Sequence, residues 1–583
     1  MKYVSDLIVD VLRGLKIEYV ALNPGATFRG IQDSIVNYGG NSMPELIECC
    51  HEEVAVAIAH GYAKAKGRPM ACILHNIVGL LHGTMAIFNA WCDNAPLIVL
   101  GGTGPMDVEK RRPWIDWVHT ALVQGNIVRD YTKWDDQPTS VIGAVESLVR
   151  AYEVAMTDPK GPVYVCFDVE LQESELKEEV DLRPYINKSA PIPPQAEEGA
   201  LSKVAELLVN AEMPVILADF LGRNKEAVKD LVELAELVSC PVIDLWSRMN
   251  FPNTHPLDLG DKSILADADV ILALDVKDLY GSITRTERHA RQIESIVKDD
   301  TKIVQMGLFN VYIRSLVTDY QRYQPTYMTV TCDTSVTLPR LNAMIKSLQG
   351  AGRSISREVR SDRFERIKSM HFKERERWRE ALKREWDKRP LSLPRLAYEI
   401  WEVIRSEDWT IGAGAIGTRP GWERRLWDIV RPDQYFGHSW GGGLGYCMPA
   451  AIGVALAMRG TGKLVIDLQP DGDLLYTASA IWTAAHHRIP ILVVMINNRL
   501  YYNDWMHSYE VARMRERPVE NARIGNELDN PPPDFATLAR SFGCTGIGPI
   551  DDPEELRTIL RGAVNLVKSD GRLVLVDVLT QPR

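Results

Sequence analysis

The chain has 583 residues, 45% of them hydrophobic and 25% charged. These proportions suit a soluble globular protein of about three to four domains. Lys plus Arg number 67 against 78 Asp plus Glu, a formal net charge of −11, which disfavours a general nucleic-acid binder. The nine cysteines are scattered with no C-x-x-C pair, so neither a disulfide scaffold nor a structural zinc site is expected. No stretch approaches the ~18 uncharged apolar residues that a membrane span needs, so no membrane partner is expected.

Lys2, Asp6, Asp10, Arg13 and Lys16 interrupt the apolar pattern of residues 1–20. That segment predicts an amphipathic helix and then a strand rather than a signal peptide, and with reduced thiols it predicts a cytoplasmic enzyme. Apolar runs at 70–74, 97–100 and 163–167 read as strands of a first block. Residues 181–200 carry Pro191, Pro193 and Pro194 and read as an extended linker. A second block has runs at 215–217, 242–245 and 270–274. Residues 353–389 are dense in Arg, Lys and Glu and predict a solvent-exposed helix. A third block has runs at 463–468, 491–496 and 573–578. Apolar strands alternating with amphipathic helices predict parallel sheets covered on both faces. The expected fold is three doubly wound α/β domains, at residues 1–180, 199–345 and 391–583.

Ligands of such sheets sit at the carboxyl ends of strands. The run 463–468 leads into Gln469-Pro470-Asp471-Gly472-Asp473 and then a helix-like stretch over 475–486. The run 491–496 ends in Asn497-Asn498. A hard cation such as Mg²⁺ takes oxygen ligands, often shared with phosphates. Asp471 offers a carboxylate and Asn498 an amide oxygen, 27 residues apart and each at a strand end. Gly472 lets backbone approach a phosphate, and the helix N-terminus adds free N–H donors.

The stretch from Asp471 to Asn498 resembles the binding motif of the thiamin-diphosphate-dependent enzymes, a G-D-G followed after just under thirty residues by N-N. Pro470 stands where that family has its first glycine. The resemblance implies Asp471, Asn498 and the backbone oxygen of Leu500 as Mg²⁺ ligands, with Gly472 and Asp473 at the cofactor. His51-Glu52-Glu53 before Ala59-His60-Gly61-Tyr62-Ala63 resembles the segment carrying the family's activating glutamate. Register from Gly61-Tyr62 selects Glu52, whose carboxyl would bond N1′ of the aminopyrimidine. The run from Gly441 to Gly453 is similar to a third family segment. It implies the Gly442 carbonyl on the 4′-amino group and Leu444 as the wedge that bends the cofactor. Thr418, in the run from Gly412, falls where the family contacts the diphosphate. The resemblance covers the chain as a pyrimidine-binding, a central nucleotide-fold and a diphosphate-binding domain. It implies a site shared between the pyrimidine domain of one subunit and the diphosphate domain of the next, hence a homodimer at least and commonly a homotetramer.

Asn23-Pro24-Gly25-Ala26, Leu74-His75-Asn76 and Phe88-Asn89-Ala90-Trp91 look most like benzoylformate decarboxylase. Ala26 replaces a serine that helps hold the substrate carboxylate there, and His75 matches a proton-transfer histidine. Pro449-Ala450-Ala451-Ile452-Gly453 looks like acetolactate synthase, but the synthase motifs framing FAD are not evident around Val276-Lys277-Asp278-Leu279, so no FAD is expected. Asp504 is a candidate acid or base, with Tyr501, Tyr502 and His507 beside it. The expected reaction is non-oxidative cleavage or formation of a C–C bond next to a carbonyl, by a 2-oxo acid decarboxylase or carboligase acting on 2-oxo acids and aldehydes. The runner-up is a 2-hydroxyacyl-CoA lyase, whose acyl-CoA phosphates would need Arg285, Arg288, Arg291 or Arg314. The alternative of another class, a non-catalytic cofactor-binding homologue, is disfavoured by intact Glu52, Asp471, Asn498 and Leu444.

Overall fold

The structure is a computed structural model and describes residues 2–113, 116–186, 190–287, 292–309, 318–418 and 420–582. Three parallel sheets succeed one another along the chain. The first contains β1 (Tyr19–Leu22), β2 (Glu45–Glu48), β3 (Ala71–Leu74), β4 (Ile98–Thr103), β5 (Trp134–Asp136) and β6 (Val163–Asp168), in the order β2-β1-β3-β4-β6-β5. The second contains β7 (Pro214–Ala218), β8 (Val242–Asp244) and β9 (Val270–Leu274), then, after a small antiparallel pair of β10 (Thr284–Glu287) and β11 (Gln292–Ser295), β12 (Lys302–Gly307) and β13 (Met328–Thr331). Its order is β13-β12-β9-β7-β8. The third contains β14 (Trp409–Gly414), β15 (Leu464–Pro470), β16 (Leu492–Asn497), β17 (Thr545–Ile550) and β18 (Val574–Leu579), in the order β14-β15-β16-β18-β17.

The inner strands are buried along nearly their whole length, which is why they read as continuous apolar runs without alternation. The three doubly wound α/β domains expected from those runs are present. The amphipathic start is the helix Val4–Gly14, followed by β1. Among the described residues no helix is long and apolar enough to cross a membrane. All nine cysteines are free thiols.

Two segments depart from expectation. The stretch read as one helix over 475–486 is two, Asp471–Tyr476 and Ala480–His486. Thr477 sits at the break, and its hydroxyl donates to the carbonyl of Gly445 at 2.9 Å, a contact a continuous helix would not present. The charge-dense connector is the 29-residue helix Arg357–Glu385, but it is not simply a solvated face. Arg363 is buried and donates to four carbonyls, those of Ala211, Glu212, Val238 and Ser239. These are carbonyls left open at the ends of the helices Glu198–Asn210 and Lys225–Val238.

Candidate active site

The helix Glu52–Lys66 is specified at both ends. His51 caps it, its Nδ1 accepting from the N–H of Glu53 at 3.2 Å. Glu52 and Glu53 occupy the positive first turn, Lys64 and Lys66 the last, and Gly67 closes it in the left-handed region at φ 75°. Two glycines let this helix cross the helix Cys447–Ala457 backbone to backbone. A Cβ on Gly61 would stand 2.1 Å from the carbonyl oxygen of Ala450, and one on Gly453 would stand 2.0 Å from that of Ile58. The family resemblance implies that the pyrimidine and diphosphate halves of one site come from different subunits. The helix contact described here is a separate one, made within one chain.

Glu52 is buried, at 4% exposure. Its Oε2 lies 3.1 Å from Nδ1 of His82. Burial pushes its carboxyl up, but hydrogen bonds from Asn23, its own backbone and His82 leave it below the usual carboxylate range. His75 stands on the other side of Gly79, where a Cβ would be 2.9 Å from His75 Cβ and 3.0 Å from Glu52 Oε1. His75 Nδ1 is 2.9 Å from the hydroxyl of Thr27. Burial, and then His119 facing it edge-on at 5.9 Å, hold its imidazole below the ordinary histidine range. The hydroxyl beside His75 therefore belongs to Thr27, one residue past the Ala26 at which the decarboxylase resemblance has its serine.

β15 and β16 are parallel neighbours, with Pro470 opposite Ile496. Their ends deliver Asp471 and Asn498 side by side at one sheet edge. Pro470 has φ −69°, within proline's fixed range, so it ends the strand without strain. Asp471 accepts from the N–H groups of Gly472 at 2.8 Å and Arg499 at 2.6 Å. Burial still lifts its carboxyl to about 6. Asn498 Oδ1 accepts from the N–H of Leu500 at 2.9 Å, a side-chain turn around Arg499, which is left-handed at φ 56°. Gly472 lies under the Tyr501 ring, 2.3 Å from where its Cβ would be.

Asp473, beside Gly472, turns its carboxylate to the glycine-rich loop. Its carboxylate accepts from the N–H groups of Gly445, Tyr446 and Cys447 at 2.9, 3.4 and 3.1 Å, and from Gln469 at 3.0 Å. It anchors the glycine-rich loop to the start of the helix Cys447–Ala457. A cavity of about 460 Å³ opens beside that loop, lined in part by Gly414, Thr418, Gly442, Leu444, Pro470 and Asp473. Gly442 is left-handed at φ 65° with open space beside it, and Leu444 is 36% exposed. Asn503 lines the cavity, whereas Asp504, in the first turn of the helix Tyr502–Met514, is exposed to solvent. Glu52 stands outside this lining, and Glu53 is the carboxylate that comes close to the loop at Gly445.

These residues fit a magnesium diphosphate. A desolvated carboxylate and an amide oxygen sit together at a strand-end edge, next to a cavity whose glycines leave backbone open. Three family models match the chain in order. The N-terminal thiamine pyrophosphate-binding domain matches residues 2–126, the central domain 201–320 and the C-terminal thiamine pyrophosphate-binding domain 415–578. The chain belongs to the thiamine pyrophosphate enzymes. Benzoylformate decarboxylase of Pseudomonas aeruginosa is 25% identical to it, over 95% of this chain and 96% of that one. The acetolactate synthase large subunit of Corynebacterium glutamicum is 24% identical, over 99% and 86%. The thiamine diphosphate-dependent 4-hydroxybenzoylformate decarboxylase of Rhodococcus jostii has the same fold, with a TM-score of 0.76 at 19% identity and full coverage of both chains.

In this thiamine pyrophosphate enzyme the carboxyl edge of the central sheet is met by the other two domains. Lys277 is buried and donates to the carbonyl of Cys92 at 2.6 Å, and Arg248 donates to that of Asp93 at 2.8 Å. The indole N–H of Trp440 reaches the Ser247 hydroxyl at 2.5 Å. Of the arginines considered for acyl-CoA phosphates, Arg285 is exposed on β10, and Arg288, Arg291 and Arg314 lie outside the described residues. Asn23, Thr27, His82 and His119 were not singled out for these positions from the sequence. Their contacts join segments far apart in the chain, and no local spacing marks them.

Proposed function

We propose that this protein is a Mg²⁺- and thiamin-diphosphate-dependent non-oxidative 2-oxo acid decarboxylase or carboligase. The observation that carries the reading is the placement of Asp471 and Asn498 at the ends of adjacent parallel strands, beside the glycine-lined cavity. Asp471, Asn498 and the carbonyl of Leu500 would hold the metal, Thr418 and Gly472 the diphosphate, and Gly442 and Leu444 the aminopyrimidine end. When bound, thiamin diphosphate supplies the nucleophilic carbon and the electron sink for breaking the bond next to the carbonyl. Glu52 would be the carboxyl that faces the ring nitrogen and holds or releases a proton there. His75, held by Thr27, is the group that hands a proton to the product or orients the substrate carboxylate. Asp504 is assigned only an outer place, since its side chain faces solvent.

The relatives support a small 2-oxo acid donor, with an aldehyde or second oxo acid as acceptor in carboligation. FAD is left out of the proposal. The middle-domain edge where a nucleotide would lie in such a sheet is occupied by Lys277, Arg248 and Trp440. We assign a homodimer or homotetramer in the cytoplasm, a state supported by the exposed apolar side chains Val118, Leu122 and Val123. The test is a mass-spectrometric turnover screen with thiamin diphosphate and Mg²⁺, offering 2-oxo acids against 2-hydroxyacyl-CoA esters. Release of CO₂ or an acyloin from an oxo acid is expected. Cleavage of the CoA esters alone would replace this reading with the lyase.

A further inference from the structure

The helix Ile77–Cys92 presents His82 to Glu52. The side chain of Glu52 is 5% exposed and that of His82 is 51% exposed. The imidazole therefore stands between a buried carboxylate and solvent. Its ring stacks on that of His51, with centroids 5.0 Å apart and planes at 23°. The carboxylate of an ionised Glu52 only accepts hydrogen bonds, so Nδ1 of His82, at 3.1 Å, carries the hydrogen.

We propose that His82 is a positioning residue for Glu52, its Nδ1–H orienting the carboxylate and favouring its ionised form. The proposal rests on the reading of Glu52 given above, but the pair exists whether or not a cofactor binds. One further donor narrows the orientation, since Asn23 bonds the same carboxylate, and Gly79 leaves no side chain between Glu52 and His75. The titratable groups facing the pair are His51, stacked on His82, and His75, across Gly79. Behind His75 stand His119 and Asp116. Glu53, next in the chain, belongs to the opposite side, by Asp473. Within one chain His82 is the most exposed member of the group.

A hydrogen-bond donor has a signature that a packing contact lacks: its removal raises the carboxyl it bonds. His82→Phe fills the space but removes the donor. His82→Asn keeps an N–H donor and removes only the ring.

The experiment uses the full-length protein without cofactor, carrying ¹³C-labelled glutamate. The Glu52 signal is assigned by its loss in Glu52→Gln. EDTA is present, because donor atoms of His51, Glu52 and His82 lie within 4.8 Å of one another and would invite a stray metal ion. In the natural protein the Glu52 carboxyl is expected to titrate below the ordinary glutamate value. In His82→Phe its inflection moves to higher pH. In His82→Asn it returns toward its natural position.

A Glu52 titration unchanged in His82→Phe would overturn the proposal. So would ¹⁵N shifts placing the His82 proton on Nε2 rather than Nδ1 at neutral pH. The expected shift of Glu52 in a protein that binds no thiamin diphosphate would instead overturn the functional reading and leave the pair standing.

Discussion

Asn89 and Gly443 hold each other through two hydrogen bonds. The side-chain amide donates to the Gly443 carbonyl at 3.3 Å, and its oxygen accepts from the Gly443 N–H at 3.2 Å. One residue of the N-terminal domain thus satisfies both backbone groups of a loop residue beside the cavity. Asn89→Ala should leave the fold intact and weaken thiamin diphosphate binding by about tenfold, the cost of about 1–2 kcal/mol for a lost, partly buried pair. Calorimetric titration at saturating Mg²⁺ measures it.

Glu52 and Asp471 should fail in different ways. Glu52→Gln keeps the shape and loses the exchangeable acid, so turnover should drop by about 100-fold or more with cofactor affinity little changed. Asp471→Ala removes a metal ligand, so affinity for thiamin diphosphate should fall and cease to respond to Mg²⁺. Titrations of cofactor with and without Mg²⁺, run beside steady-state kinetics, separate the two. Equal behaviour of the two variants would contradict the assignment.

Glu53 gives the protein a pH-dependent stability term. Burial, and then the Asp473 carboxylate, push its carboxyl up to about 7. Between the ordinary carboxylate range and pH 7 the folded chain keeps a proton that the unfolded chain has released. The associated stabilisation is complete below that range and is lost as pH rises through 7. Glu53→Gln should therefore melt about 2 °C above the natural protein at pH 8 and level with it at pH 4. Melting curves at the two pH values decide it.

Arg363 predicts an asymmetry along the charged helix Arg357–Glu385. Arg363→Ala strands the carbonyls of Ala211, Glu212, Val238 and Ser239 and should cost about 3 kcal/mol. Arg366→Ala, one turn on, breaks only an exposed pair with Asp267 and should cost at most about 1 kcal/mol. Chemical denaturation of both variants is the comparison.

The sequence made the sheets legible because their inner strands are buried on both faces. The runs 70–74, 270–274 and 491–496 all fall on strands, since a two-sided burial demand leaves no room for polar positions. Asp471 and Asn498 were legible for a related reason: the ends of parallel strands are where side chains meet, and the two strands are neighbours. His82 was not legible because its meaning depends on how one helix turns its face toward another. Asp473 has a further use that the sequence did not show: its carboxylate gathers the loop N–H groups of Gly445 and Cys447. The break at Thr477 depends on the Gly445 carbonyl, 32 residues earlier, which no helical periodicity reports.

Lys277, Arg248 and Trp440 turn one sheet's carboxyl edge into mortar. In an open parallel sheet that edge is the natural receptor. Here the central domain uses it to grip the backbone of Cys92 and Asp93, at the C-terminal end of the helix that carries His82 and Asn89. A strain introduced into the middle of the chain therefore has a short mechanical route to Glu52 and His82. Substitutions in a domain that contributes no group to the cavity can thus show up as altered catalysis without touching the cavity wall.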